Sequence, residues 1–105
     1  MNTFEDRKKG FEAIYQKDQE AQFKIRAIRN RLVGKWAAEL FKPTNEDEYI
    51  KEVRLSNLEK PGDDDIIDKL VSDFESKTIN VNRGDIIKKI EECAKMAIDE
   101  FIKKN

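Results

Sequence analysis

Apolar side chains recur along this chain at intervals of three and four, the period of a helix face, and no pair of segments alternates as the strands of a hairpin would. In "FKIRAIRNRLVGKWAAELF" the residues Ile25, Ile28, Leu32 and Trp36 are spaced three, four and four, which predicts a stripe facing a core. Pro43, with Thr44 and Asn45 behind it, ends that helix, because the residue before a proline is pushed out of helical geometry. "NEDEYIKEVRLSNLEK" predicts a short helix with acids in its first turn, where the helix dipole favours them, and with Tyr49 and Val53 one turn apart. "KPGDDD" is a turn leading into another acidic helix start. The helix after it carries a broad apolar face of Ile66, Ile67, Leu70, Val71 and Phe74, and stops in the β-branched, polar "SKTINVN". Asn82 and Asp85 have the form of a capping box. The final helix presents Ile86, Ile90, Cys93, Ala97 and Phe101, with Ile87, Ala94, Ile98 and Ile102 beside them, the most regular stripe in the chain.

Upstream, Thr3 and Asp6 form another candidate capping box, so a helix is predicted from near Phe4. No proline interrupts it before Phe41; its weak points are Gly10, Gly34 and the polar "QKDQEAQ" around Asp18. A single helix over residues 3–41 would be about 58 Å long at 1.5 Å per residue. A globule of this length has a diameter of roughly 33 Å. The excess corresponds to about 17 residues, which places an N-terminal arm over residues 1–18 and a bundle over 19–105. The expected fold is all-α, a compact four- to five-helix bundle with a projecting or loosely packed N-terminal helical arm.

Composition narrows the function. At 105 residues one core is expected, and with 38% hydrophobic against 41% charged residues only narrow apolar stripes can be buried. No run approaches the roughly 20 apolar residues of a membrane span, and no signal-peptide core follows the N-terminus, so a cytoplasmic location is expected. The lone Cys93 cannot form an internal disulfide and, in its apolar stripe, reads as a small hydrophobe. The absence of histidine removes the usual proton shuttle and commonest metal ligand. Residues 1–35 hold nine Lys and Arg against five Asp and Glu, and residues 36–105 hold twelve against seventeen, so the first third is +4 and the rest −5.

Phe4, Phe11 and Tyr15 share one helical face, with Arg7 and Lys8 beside them. Either this face packs on the domain's own core or it is an arm for a partner, and Gly10, which costs about 1 kcal/mol mid-helix relative to alanine, favours a segment ordered by a partner. Burying three rings contributes on the order of 1.5–3 kcal/mol each. Ordering some fifteen residues costs about 1–2 kcal/mol apiece, so the arm must be partly helical beforehand or the partner must supply a deep groove. The basic run Arg26, Arg29 and Arg31, with Lys24 and Lys35, reads as a solvated face rather than a nucleic-acid footprint. Asp63, Asp64 and Asp65 miss the calcium-loop pattern and are accounted for by helix N-terminal charge. No phosphate loop, metal-ligand spacing or acid–base pair is found. The chain is therefore read as no enzyme, with no cofactor and no metal.

The succession "TFEDR", "GFE", Asp18, Glu20, "FK", "RNRL", "GKWAAEL", "YIKEV" and "EKPGDDD" resembles the zeta-type ATPase inhibitor subunit of bacterial ATP synthases nearly end to end. "RNRLVGKWAAEL" is the most specific block, and the C-terminal third agrees in pattern more than in letters. The resemblance implies a helical bundle whose N-terminal segment enters the catalytic sector at an interface between catalytic and non-catalytic subunits near the central rotor. There it would block rotation in the hydrolytic direction, at the cytoplasmic side of the inner membrane and without inserting into it. Carried over by position, the inhibitory contacts fall on Phe4, Arg7, Lys8, Phe11 and Tyr15, with Phe23, Arg26 and Arg29 nearest the mouth of the groove. Leu32, Trp36 and the last-helix stripe are assigned to the core. Two other readings stay open: a generic helical adaptor, and a small-ligand or nucleotide-binding module using the acidic turn from Asp63 to Ile67.

Overall fold

In the computed structural model, which describes residues 18–57 and 62–104, the backbone of Asp18 is extended (φ −107°, ψ 103°), and its carboxylate accepts from the amides of Glu20 at 3.0 Å and Ala21 at 3.2 Å. Two amide donors left free at a helix start are thereby satisfied. The helix so capped, α1, runs Gln19–Phe41. Gly34 does not break it. An added Cβ there would lie 3.2–3.3 Å from the Cγ2, Cα and carbonyl oxygen of Ile50, so the glycine marks where a second helix approaches closely. Lys42 then takes the left-handed conformation (φ 51°) and its amide donates to the Ala38 carbonyl at 2.8 Å, ending α1 one residue before Pro43.

Asn45 caps α2, Glu46–Leu55, by accepting from the Glu48 amide at 3.1 Å. Helix α3 spans Asp64–Ser76 and helix α4 spans Arg83–Lys104. Asn82 and Asp85 complete the expected capping box: the Asp85 amide donates to Asn82 Oδ1 at 2.8 Å and the Asn82 amide to Asp85 Oδ2 at 3.2 Å. The expected all-α bundle is thus a four-helix globule, with no strand among the described residues. The predicted N-terminal helix and the Thr3–Asp6 cap lie outside them.

Helix α1 is packed on one side by α2 and on another by α4, with α3 against α4 and both of the others. Its buried residues are therefore not a single stripe. Ile25 and Val33 are buried as apolar anchors, while Gly34, Ala37 and Ala38 are buried because they let neighbours come close; Ile28, Leu32 and Trp36 are half-buried against the core. Val33, Val53, Ile66, Leu70, Phe74 and Ile86 are fully enclosed. Trp36 meets Phe74 edge-on at 5.6 Å, a favoured aromatic geometry. Ile25, Ala97 and Ile98 form a second cluster that joins the N-terminal half of α1 to the end of α4. Between α1, α2 and α3, Phe41 stacks on Tyr49 at 4.7 Å, and the Tyr49 hydroxyl donates to Asp73 at 2.7 Å. Lys77 lies 3.9 Å over the Phe41 ring and donates to the last carbonyls of α1, those of Phe41 at 2.5 Å and Lys42 at 3.3 Å.

Candidate partner-binding face

Asp18 caps α1, and the first exposed face beyond it belongs to that helix. Phe23 is 64% exposed there, a large ring that the bundle leaves outside its core. Arg26, half-buried, stands one turn on. With Ala27 and Asn30 of α1, and Arg54 and Leu55 of α2, these two residues line a cavity of about 160 Å³. Leu55 is itself half exposed. The cleft is apolar in its walls and carries an arginine on each helix.

Arg29 does not join this cleft. Its guanidinium reaches Asp63, at the start of α3, at 2.8 Å, and its Nε and Nη2 donate to Asn30 Oδ1 at 3.1 and 2.9 Å. Asn57, buried, completes the arrangement: its side-chain oxygen accepts from Arg29 at 2.9 Å while its amide donates to the Gly62 carbonyl at 2.7 Å. A single arginine so ties α1 to both ends of the α2–α3 connection. Arg31 makes a fork to both carboxylate oxygens of Glu100 at 3.0 and 2.8 Å, bracing α1 against α4. The expected solvated basic face is therefore corrected at Arg29 and Arg31, which are interhelical struts. Asp63 likewise has a counter-charge rather than only a place at a helix start, and its engagement weighs against an acidic turn free to hold a cation or nucleotide.

Of the residues assigned to partner contact, Phe4, Arg7, Lys8, Phe11 and Tyr15 lie outside the described residues, Phe23 and Arg26 are brought together, and Arg29 is turned away from them. Leu55 escaped the sequence reading, although it falls off the Tyr49–Val53 face and so had no core to enter. Cys93 is buried on α4, and its burial pushes the thiol up from its ordinary range, the opposite of what a nucleophile requires. Among the described residues no cluster of three or more potential metal ligands occurs, and no helix is long and apolar enough to cross a membrane.

A model of one protein family, ATPase inhibitor subunit zeta, matches residues 1–100 of the chain. No curated protein matches it.

Proposed function

The chain belongs to the ATPase inhibitor subunit zeta family, and on that premise we propose that it restrains ATP hydrolysis by the catalytic sector of a bacterial ATP synthase, with residues 1–18 as the inhibitory arm and 19–105 as the bundle that presents it. The observation that carries this reading is the family match itself, which spans arm and bundle alike. The arm lodges as a helix between a catalytic and a non-catalytic subunit near the central rotor, through Phe4, Arg7, Lys8, Phe11 and Tyr15. Phe23 and Arg26 stand at the mouth of that groove. Arg29, paired with Asp63, holds α1 against the start of α3 beside that mouth. The wedge does no chemistry: it stops rotation in the hydrolytic direction and is expelled by rotation in the synthetic direction, on the cytoplasmic side of the inner membrane.

Two features support the reading. Asp18 is extended and caps α1, so the first described helix starts at Gln19, at the end of the proposed arm. The exposed Phe23 and half-buried Arg26 continue the aromatic and basic character of the arm onto the first turns of α1. The test is to add the full chain to inverted membrane vesicles carrying the cognate ATP synthase and measure both directions. Loss of ATP hydrolysis with ATP synthesis preserved is expected; equal loss of both, or of neither, contradicts the wedge.

A further inference from the structure

We infer that the face shared by α1 and α2 is a second docking site, taking an acidic amphipathic segment of the partner protein whose one apolar side chain seats between Phe23 and Leu55 and whose carboxylates meet Arg54, Lys51 and Lys35. The inference rests on the inhibitory reading above and adds to it a contact made by the bundle rather than by the arm.

Phe23 and Leu55 are 64% and 50% exposed, and they wall the same cavity from opposite helices. Its volume of about 160 Å³ suits one ring or branched aliphatic group, since a cavity of about 150 Å³ holds benzene. Arg54, on its rim, also lines an adjoining hollow of about 450 Å³ together with Lys35, Lys51 and Ile50. Elsewhere among the described residues some cations are ion-paired and others, Lys42, Lys77, Lys88, Lys95 and Lys103, are not; what sets this face apart is that its cations gather at one apolar cleft and the hollow beside it. Lys24, Arg29, Arg31, Lys69, Arg83, Lys89 and Lys104 are all ion-paired. Arg26, Lys35, Lys51 and Arg54 make no ion pair among the described residues. In a chain of net charge −1, Arg26 and Arg54 on the apolar cleft, with Lys35 and Lys51 in the hollow beside it, are a local complement to negative charge. Glu46 and Asp47 also line the hollow and interrupt it as a phosphate track, and a nucleic-acid backbone offers nothing apolar for the cleft. An acidic protein segment satisfies both parts. The close approach of Gly34 to the Ile50 backbone, 3.3 Å from an added Cβ, fixes the spacing of the two helices, so the face is formed before binding.

The test compares three full-length chains on the purified catalytic sector: wild type, K51E/R54E, and K88E/K95E, a reversal of the same size on exposed lysines of α4. Circular dichroism and melting first establish that all three are folded. The expected result is a half-inhibitory concentration raised roughly 10-fold or more for K51E/R54E in low salt, narrowing at high salt, with K88E/K95E within about two-fold of wild type. Equal potency of the two variants overturns the site. Failure of wild type to inhibit would instead overturn the inhibitory reading. The face is then judged separately by an amide NMR titration with a synthetic helical peptide rich in Glu and Leu: shifts centred on Ala27, Lys51 and Arg54 support the site, and their absence overturns it. Binding of phosphatidylglycerol vesicles through these residues, with no response to the peptide, would overturn the protein occupant in favour of a membrane.

Discussion

Removing the Asp63 carboxylate leaves the Arg29 guanidinium, 11% exposed, facing two asparagine oxygens with no counter-charge. Asp63→Ala is expected to cost about 2–3 kcal/mol, below the full value for a buried pair because Asp63 is one-third exposed. Arg29→Lys keeps the charge but loses the fork, and is expected to cost at least about 1 kcal/mol; denaturant melts of both variants check this. No pattern in the sequence separates Arg29 from Arg26. They lie one turn apart on the same helix, and the partner that distinguishes them is 34 positions away in the chain. Tyr49 and Cys93 set the alkaline behaviour. Burial, then the hydrogen bond to Asp73, pushes the Tyr49 phenol far above its ordinary range, and burial raises the Cys93 thiol. Folded-state values above unfolded ones mean the native state keeps protons that the unfolded chain releases. Stability is therefore full below the ordinary thiol range near pH 8.5 and falls as pH rises past about 8.5 for Cys93 and about 10 for Tyr49. Melting temperature should drop across this window, and Tyr49→Phe, about 1 kcal/mol less stable at neutral pH, should drop less steeply above pH ~10.

Helix α1 departs furthest from its sequence reading because it is packed on more than one side. A stripe of large apolar residues marked one side correctly at Ile25 and in part at Leu32 and Trp36. The side against α2 is built from Gly34, Ala37 and Ala38, whose smallness carries no periodic hydrophobic signal, and Gly34 looked like a weakness in the helix. Gly34→Val should overpack the Ile50 backbone and destabilise by about 2 kcal/mol, despite valine's better helix propensity than glycine. The end of α3 was similarly obscure. Ile79 donates to the Phe74 carbonyl at 2.8 Å and Thr78 to that of Glu75 at 3.1 Å, the bonding of a Schellman turn, which places Thr78 at φ 55° where glycine is usual. A β-branched residue is strained there. Thr78→Gly is expected to raise stability by about 1 kcal/mol, read as a higher midpoint in denaturant. The α4 start, by contrast, was plain in the sequence, because a capping box uses residues three apart and needs no tertiary partner.

The molecule as a whole joins two kinds of information. The bundle is held by α1, braced to α3 through Arg29–Asp63 and to α4 through Arg31–Glu100, and its four-helix architecture followed from apolar periodicity, proline and caps. The function did not follow from those physical features, since no cluster of reactive groups marks it; it entered through resemblance in "RNRLVGKWAAEL" and the segments around it. Asp18 is the cap that begins α1, and in the proposed function it closes the arm. Inhibition of ATP hydrolysis through residues 1–18 is to be read from the ATP-hydrolysis rate of the cognate catalytic sector against increasing full-length chain and chain lacking residues 1–18. Inhibition by the first alone, with both chains melting cooperatively, is the predicted result. Equal inhibition by both would move the inhibitory element into the bundle and contradict the account.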